Sequence, residues 1–249
     1  MKKPSIIDNA FHQIMGFKIF NGILPRLDRD QKLIINTINA YSTVISLKDE
    51  KFKEALDDSD ILLPDGVSMV IAAKILSNKN INKIAGMDAF NHYLDELNRI
   101  GGSCFFLGSN GETLFKIQLK INRKLPGIRV GVYSPPYKAE FNNEDTFQMI
   151  NEVRSFRPDV LFVGMTAPKQ EKWVYENKYN LNIPIICSIG AVFDYYAENL
   201  KRAPKIARDI GLEWFWRLMS EPKRTWKRYI IGNTQFLLLL FKHKIFGIK

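Results

Sequence analysis

The stretch Cys104-Phe-Phe-Leu-Gly-Ser-Asn-Gly-Glu-Thr-Leu-Phe-Lys-Ile-Gln-Leu-Lys-Ile-Asn-Arg-Lys-Leu125, continued by Ile128-Arg-Val-Gly-Val-Tyr133, decides the fold. A short apolar run at 104–107 reads as a strand, Gly108-Ser109-Asn110-Gly111 as a turn, 112–125 as a helix and 128–133 as the next strand. The same unit, about 30 residues long, recurs on either side. Toward the C-terminus lie a helix over 144–156, a strand over 160–163, a helix over 170–177 and a strand over 183–189. Toward the N-terminus, strands at 33–35 and 61–63 alternate with helices over 48–56, 67–76 and 88–100. In the last of these Phe90, Tyr93, Leu94 and Leu97 share one face, and Gly101-Gly102 is the stop. Alternating strands and helices predict an α/β fold, a parallel sheet with helices on both faces. Ligands of such sheets bind in the crevice outside the carboxyl ends of the strands, so candidate residues should follow strands directly.

The 249 residues are 46% hydrophobic and 25% charged, enough for a sizeable core. The net charge of +10 is unevenly placed. Residues 201–249 hold twelve of the 36 Lys and Arg but three of the 26 Asp and Glu, leaving 24 and 23 for residues 1–200. The expected division is a balanced body, 1–195, and a basic appendage, 196–249, that meets an anionic surface. Ile206, Ile210, Trp214, Leu218 and Met219 recur at helical spacing there, and Arg217, Arg224 and Arg228, seven and four apart, should share one helical face. With three of the four tryptophans nearby and the run Phe236-Leu-Leu-Leu-Leu-Phe241 beyond, this reads as an interfacial membrane-binding element. Basic and aromatic residues interleaved in this way also suit single-stranded nucleic acid. The apolar run favours lipid, so no nucleic-acid partner is expected. A solvated helix face is the plainer alternative.

Met1-Lys2-Lys3-Pro4 lacks the apolar core of a leader, and nothing reaches the ~20 apolar residues of a spanning helix. The expected location is cytoplasmic, peripheral on the inner face of the membrane. Cys104 and Cys187 sit in apolar runs and read as buried free thiols, and His12, His92 and His243 are scattered, so no metal set emerges.

Several strings follow strands. Gly108-Ser-Asn-Gly111 can offer backbone N–H groups to phosphate, although G-x-G-x-x-G and the Walker lysine are missing. Pro64-Asp65-Gly66 puts a carboxylate at a strand end, where a partly dry cleft makes a general base; a turn-stabilising Asp is the alternative. Asn36-Thr37-Ile38-Asn39 can bind sugar hydroxyls or cap a helix. After Gly164, which permits close backbone approach, Pro168 suits a helix start and Lys169 or Gln170 can reach a diphosphate. Asp57-Asp-Ser-Asp60 and Asp28-Arg-Asp30 imitate a metal-binding D-x-D but precede strands, and read as solvated surface.

Eleven strings in order across nearly the whole chain resemble the WecG/TagA/CpsF family, glycosyltransferase family 26. They are Asn36-Thr-Ile-Asn-Ala-Tyr-Ser42, Pro64-Asp-Gly66, Lys83-Ile-Ala-Gly-Met-Asp88, Phe106-Leu-Gly-Ser109 and Gly131-Val-Tyr-Ser-Pro-Pro-Tyr137. Pro158-Asp-Val-Leu-Phe-Val-Gly164, Ala167-Pro-Lys-Gln-Glu171, Gly190-Ala-Val-Phe-Asp194, Lys201-Arg-Ala-Pro204, Gly211-Leu-Glu-Trp214 and Glu221-Pro-Lys-Arg224 complete the set. The resemblance implies a Rossmann-like body and a membrane-contacting appendage. It implies inverting transfer of an N-acetylmannosamine or uronic-acid type sugar from a UDP-sugar donor to an undecaprenyl-diphosphate-linked acceptor. The product would serve wall, capsule or exopolysaccharide synthesis, teichoic acid included.

By the same resemblance Asp65 is the base, Thr37 and Asn39 belong to its cleft, and Tyr137 and Gln170 lie near the donor. No metal and no cofactor are expected, and a homo-oligomer is admitted. Lys83 and Lys169 are the candidate cations for the leaving diphosphate, with Gly108 and Gly164 beside them. Arg217, Arg224 and Arg228 face acceptor and membrane. Two positions depart from the family: Lys83 replaces an arginine, losing its bidentate fork, and Glu198 stands where glycine is usual. The rival reading is a non-catalytic membrane- or nucleic-acid-binding protein on the same kind of body.

Overall fold

A computed structural model describes residues 10–247. The N-terminal string Met1-Lys2-Lys3-Pro4 lies outside the described residues. Strands β1 (Phe11–Ile14) and β2 (Phe17–Phe20) form an antiparallel hairpin. There follow β3 (Leu33–Ile38), α1 (Ala40–Ser46), α2 (Glu50–Asp57), β4 (Ile61–Pro64), α3 (Val67–Ser77) and α4 (Gly86–Ile100). Next come β5 (Ser103–Gly108), α5 (Gly111–Lys124), β6 (Arg129–Tyr133), α6 (Asn143–Phe156), β7 (Val160–Gly164), α7 (Lys169–Asn177), β8 (Ile185–Ser188) and α8 (Val192–Tyr196). The last helices are α9 (Lys205–Asp209), α10 (Glu213–Ser220), α11 (Pro222–Trp226) and α12 (Gly232–Phe246).

Six strands form one parallel sheet in the order β4-β3-β8-β7-β5-β6, as the alternation predicts. Its strands read as unbroken apolar runs because both faces are covered. In β5, Cys104 and Phe106 pack on α4 and α5 through Phe90, Leu94, Leu114 and Ile117. Phe105 and Leu107 pack the other way, on Met149 and Val153 of α6 and Val174 of α7. Each such large apolar side chain contributes about 1.5–3 kcal/mol by leaving water, so this interior strand is fixed from both sides. Both cysteines are buried free thiols. Gly101 ends α4 in the left-handed conformation, as the glycine pair suggests.

The C-terminal part departs from its sequence reading. One helical periodicity was expected from Ile206 to Met219 and one face for three arginines. Instead the chain breaks at Gly211 (φ +78°) and again at Glu221 (φ −137°, ψ 59°), just before Pro222. Proline disfavours a helical residue before it and opens the next helix at its first position. Arg217 therefore belongs to α10 and Arg224 to α11, and Arg228 lies in a π-helical turn, Lys227–Ile231, that joins α11 to α12. The apolar run is likewise divided. Phe236 (2% exposed) and Leu240 (4%) are buried with Phe17, Val44, Met69 and Ala72, whereas Leu237, Leu238 and Phe241 are 60%, 66% and 65% exposed. Among the described residues, no helix is long and apolar enough to cross a membrane.

Glu198, the departure from glycine, has φ +60°. That conformation suits glycine and strains a residue with a Cβ. Its carboxylate forms an ion pair with Lys120, a surface contact of small worth. Glu198→Gly is expected to hold or raise the melting temperature, and Glu198→Val, β-branched at a positive φ, to lower it, as a thermal melt followed by circular dichroism would read.

Candidate active site

Thr37 and Asp65 come together because β3 and β4 are parallel neighbours. Thr37 pairs with Leu63 in the ladder, and the Asp65 N–H donates to the Ile38 carbonyl at 2.9 Å. Alternation puts Thr37 on the same face as Ile35, toward α4. It sends Asn36 to the opposite face, where its amide donates to the Ala55 carbonyl and to Ser59 Oγ. Asn36 thus leaves the polar strand-end cluster suggested by the sequence. Asn39 caps α1: its Oδ1 accepts from the N–H groups of Tyr41 (3.1 Å) and Ser42 (3.2 Å), while Ser42 Oγ accepts from the Asn39 N–H. Capping commits the Asn39 oxygen and leaves its amide nitrogen as the end able to face a ligand.

Asp65 is walled in by protein yet keeps a solvent-facing edge. Burial pushes its proton affinity up, and the like charge of Glu213 pushes it further; Arg228, Lys83 and Arg217 oppose both. One carboxylate in a partly dry cleft, under the charges of three cations, can accept a proton beside an anionic group. Lys83 enters from the segment before α4. Its Nζ lies 3.7 Å from Glu213 Oε2 and 3.5 Å from the Arg208 carbonyl. Arg228 stacks over Tyr41, 5.2 Å from the ring centre. The Nε atoms of Arg217 and Arg228 are buried and have no hydrogen-bond partner among the described residues. Arg224 instead points toward Asp194, 3.9 Å away, and Glu221.

Gly108 and Gly164 pair across β5 and β7, and protein packing already accounts for both. A Cβ on Gly108 (φ +119°) would lie 2.5 Å from the Gly164 carbonyl oxygen, and one on Gly164 would lie 2.7 Å from the Phe193 ring. The turn before α5 is capped by Asn110, whose Oδ1 accepts from the Thr113 N–H at 2.8 Å. After β7 the chain turns through Thr166, a β-branched residue at φ +73°, a strained conformation of the kind concentrated at functional sites. Gln170 is buried below this turn: its Oε1 accepts from the Met165 N–H (3.2 Å) and its Nε2 donates to Glu171 (2.9 Å).

Lys169 donates to the Lys138 carbonyl at 2.7 Å, 4.3 Å from the centre of the Phe141 ring, and partial burial lowers its proton affinity. That bond ties the loop after β6, which carries the fully exposed Tyr137, to the start of α7. The two D-x-D strings lie at the opposite ends of β3 and β4, where Asp60 accepts from the Ile34 N–H and Asp28 from the Asp30 N–H.

Three polar side chains around these residues escape a reading of strand ends. Glu171 is buried, its Oε2 without a hydrogen-bond partner among the described residues, and burial lifts its carboxyl to about 7 against the bond from Gln170 and the charge of Arg228. Glu213 meets Lys83 from the appendage, and Tyr41 carries Arg228. All three lie inside strings quoted for the family, but each matters for what lies opposite it in space.

Residues 5–249 match the family model described as Glycosyl transferase WecG/TagA/CpsF family. The chain is 30% identical over 217 residues to an N-acetylglucosaminyldiphosphoundecaprenol N-acetyl-beta-D-mannosaminyltransferase of Bacillus subtilis (strain 168), covering 86% of this chain and 82% of the relative. Proteins of the same description from Bacillus spizizenii (strain ATCC 23059 / NRRL B-14472 / W23) and Staphylococcus aureus (strain MW2) are 26% identical over 218 residues and 24% over 213. They cover 88% and 86% of this chain, and each match spans 82% of the relative.

Proposed function

The chain belongs to the WecG/TagA/CpsF family of glycosyltransferases, and from that premise we propose that it moves N-acetylmannosamine from a UDP-sugar to N-acetylglucosamine carried on undecaprenyl diphosphate, for a wall or surface polysaccharide. The activity for which the relatives are named supports the acceptor and the transferred sugar. The observation that carries the chemistry is Asp65 at the end of β4, with its raised proton affinity, among Lys83, Arg217 and Arg228.

In this reading the transfer is one in-line displacement with inversion. Asp65 removes the proton from an acceptor hydroxyl as that oxygen bonds to the anomeric carbon, and the bond to UDP breaks. The electron pair and negative charge leave on the diphosphate, which Lys83, Arg217 and Arg228 stabilise without a metal ion. Thr37 and the Asn39 amide orient the sugars. Gln170 and Lys169 shape the donor side by holding the turn after β7 and the loop that carries Tyr137. Gly108 lets the end of β5 lie against the Gly164 carbonyl of β7, and Gly164 admits the Phe193 ring. Exposed Leu237, Leu238, Phe241, Trp216 and Trp226, among the basic residues of the appendage, would hold the enzyme on an anionic membrane surface, as peripheral attachment to the inner face requires. Each basic residue near such a surface adds roughly 1 kcal/mol.

The test is UDP release by the purified protein with a panel of UDP-sugars and a polyprenyl-diphosphate-linked N-acetylglucosamine, without added metal. Release with UDP-N-acetylmannosamine that depends on the acceptor is the expected result. Release with a different donor corrects the sugar, and release that requires a divalent ion removes the metal-free mechanism.

A further inference from the structure

Glu213 is the first residue of α10 and one of the residues by which the C-terminal segment meets the cleft around Asp65. Its Oε2 lies 3.7 Å from Lys83 Nζ and its Oε1 3.7 Å from Arg202 Nε. The three side chains are 30%, 29% and 27% exposed, so the contact is open to exchange yet not fully screened by water. Both separations exceed the roughly 2.7–2.9 Å of a tight charge-assisted hydrogen bond. The carboxylate is shared loosely between two cations, one from the body and one from the 201–204 segment.

We infer that Glu213 is an internal counter-ion: it occupies, in the empty enzyme, the Lys83–Arg202 cation pair that the donor's diphosphate takes over on binding. This rests on the reading of Lys83 as a donor-diphosphate ligand. One carboxylate neutralises half of the pair, whereas a diphosphate of about two negative charges matches it and gains a charge-assisted bond to each cation. Lysine at position 83 sharpens the competition. A guanidinium presents several N–H groups around a flat fork and can serve two anions at once, whereas an ammonium is one compact charge. Donor binding here therefore exchanges a body–appendage contact for a body–ligand contact, which makes Glu213 a positioning residue for the appendage as well as a competitor for the donor.

The experiment is calorimetric titration of the full chain with UDP alone. Glu213→Gln keeps the size of the side chain and removes its charge, and it should bind UDP several-fold to about tenfold tighter than the unaltered protein at low ionic strength. The gain should shrink at ~1 M salt, where the screening length falls to about 3 Å. Measured against Lys83→Gln alone, adding Glu213→Gln should give a smaller gain than in the unaltered protein, because the Lys83 half of the contact is already gone and only Arg202 remains. A thermal melt checks folding. If the Gln variant does not fold, Glu213→Asp, which withdraws the carboxylate by one methylene but keeps an acid at the start of the helix, should show a smaller gain. UDP binding by folded Glu213→Gln that is unchanged or weaker overturns the counter-ion role and leaves the donor reading standing. No UDP binding by the unaltered protein overturns the donor reading and this inference together.

Discussion

Asp65→Asn is expected to cut acceptor-dependent UDP release by about 10²–10⁴-fold, the usual contribution of a positioned proton acceptor, in a protein that still folds. Asparagine matches the shape of aspartate, and the backbone bond from residue 65 to the Ile38 carbonyl survives the change. Only the capacity to take a proton is lost. Burial and Glu213 raise the Asp65 carboxyl while Arg228, Lys83 and Arg217 oppose them, so the net direction is upward. The working form is the ionised one. Turnover should therefore fall as the pH drops through this raised value, with an acid limb above the ordinary carboxylate range.

Stability carries the opposite sign. An acid whose folded-state pKa lies above its unfolded value penalises the folded protein at higher pH, and the penalty is relieved as the pH falls through the raised value. At neutral pH Asp65→Asn should thus hold or raise the melting temperature while activity collapses. That combination distinguishes lost chemistry from lost structure. A rate within threefold of the unaltered protein, at unchanged KM, would remove Asp65 as the base.

Two phenylalanines five residues apart should respond in opposite ways. Phe236→Ala opens a cavity among Phe17, Val44, Met69 and Ala72 and should cost about 3–5 kcal/mol, a large part of the roughly 5–15 kcal/mol that holds a domain together. Phe241→Ser, on the exposed face, should change stability by no more than about 0.5 kcal/mol. Combined with Leu237→Ser and Leu238→Ser, it should abolish flotation with anionic vesicles. Vesicle binding of the triple variant equal to that of the unaltered chain would take the membrane role away from this face. Deleting everything after residue 195 is the blunter test. It strips Phe236 and Leu240 from the core, so lost activity after deletion mixes unfolding with lost attachment.

Much of the sheet was legible because its strands, covered on both faces, carry unbroken apolar runs that punctuated helices separate. The β1–β2 hairpin was not: Phe11-His-Gln-Ile14 and Phe17-Lys-Ile-Phe20 are four residues each, below the length at which a period of two stands out. Helix α1 was hidden by Thr43, Val44 and Ile45, whose branched side chains favour strands, and only the Asn39 cap marks its start. Among the candidate residues, the position of Asp65 and Thr37 at strand ends was legible because each follows a short apolar run. Asn36 was misplaced by one step of alternation. Glu213 and Glu171 could not be picked out by this means, since each acquires its meaning from an element distant in sequence. Gly108 and Gly164 stood out as glycines, but the cause is a neighbouring strand and the Phe193 ring as much as any ligand.

The π turn at Lys227–Ile231 also sets an angular phase. Its wider ladder, closed by the Gly232 N–H on the Lys227 carbonyl, takes in an extra residue. Each residue of an α-helix advances the direction of the side chains by about 100°, so an added residue turns the far half of the rod relative to the near half. At the start of the turn, the rotation is fixed by Arg228 resting on Tyr41; beyond it, by Phe236 and Leu240 seated in the core. A uniform helix would have to satisfy both with one setting of its axis. The inserted residue works as a phase shifter, letting the half that bears Arg228 and the half seated in the core be aligned separately. Removing a single residue between 227 and 231 would force the two alignments into conflict, a defect far larger than the loss of any one side chain there.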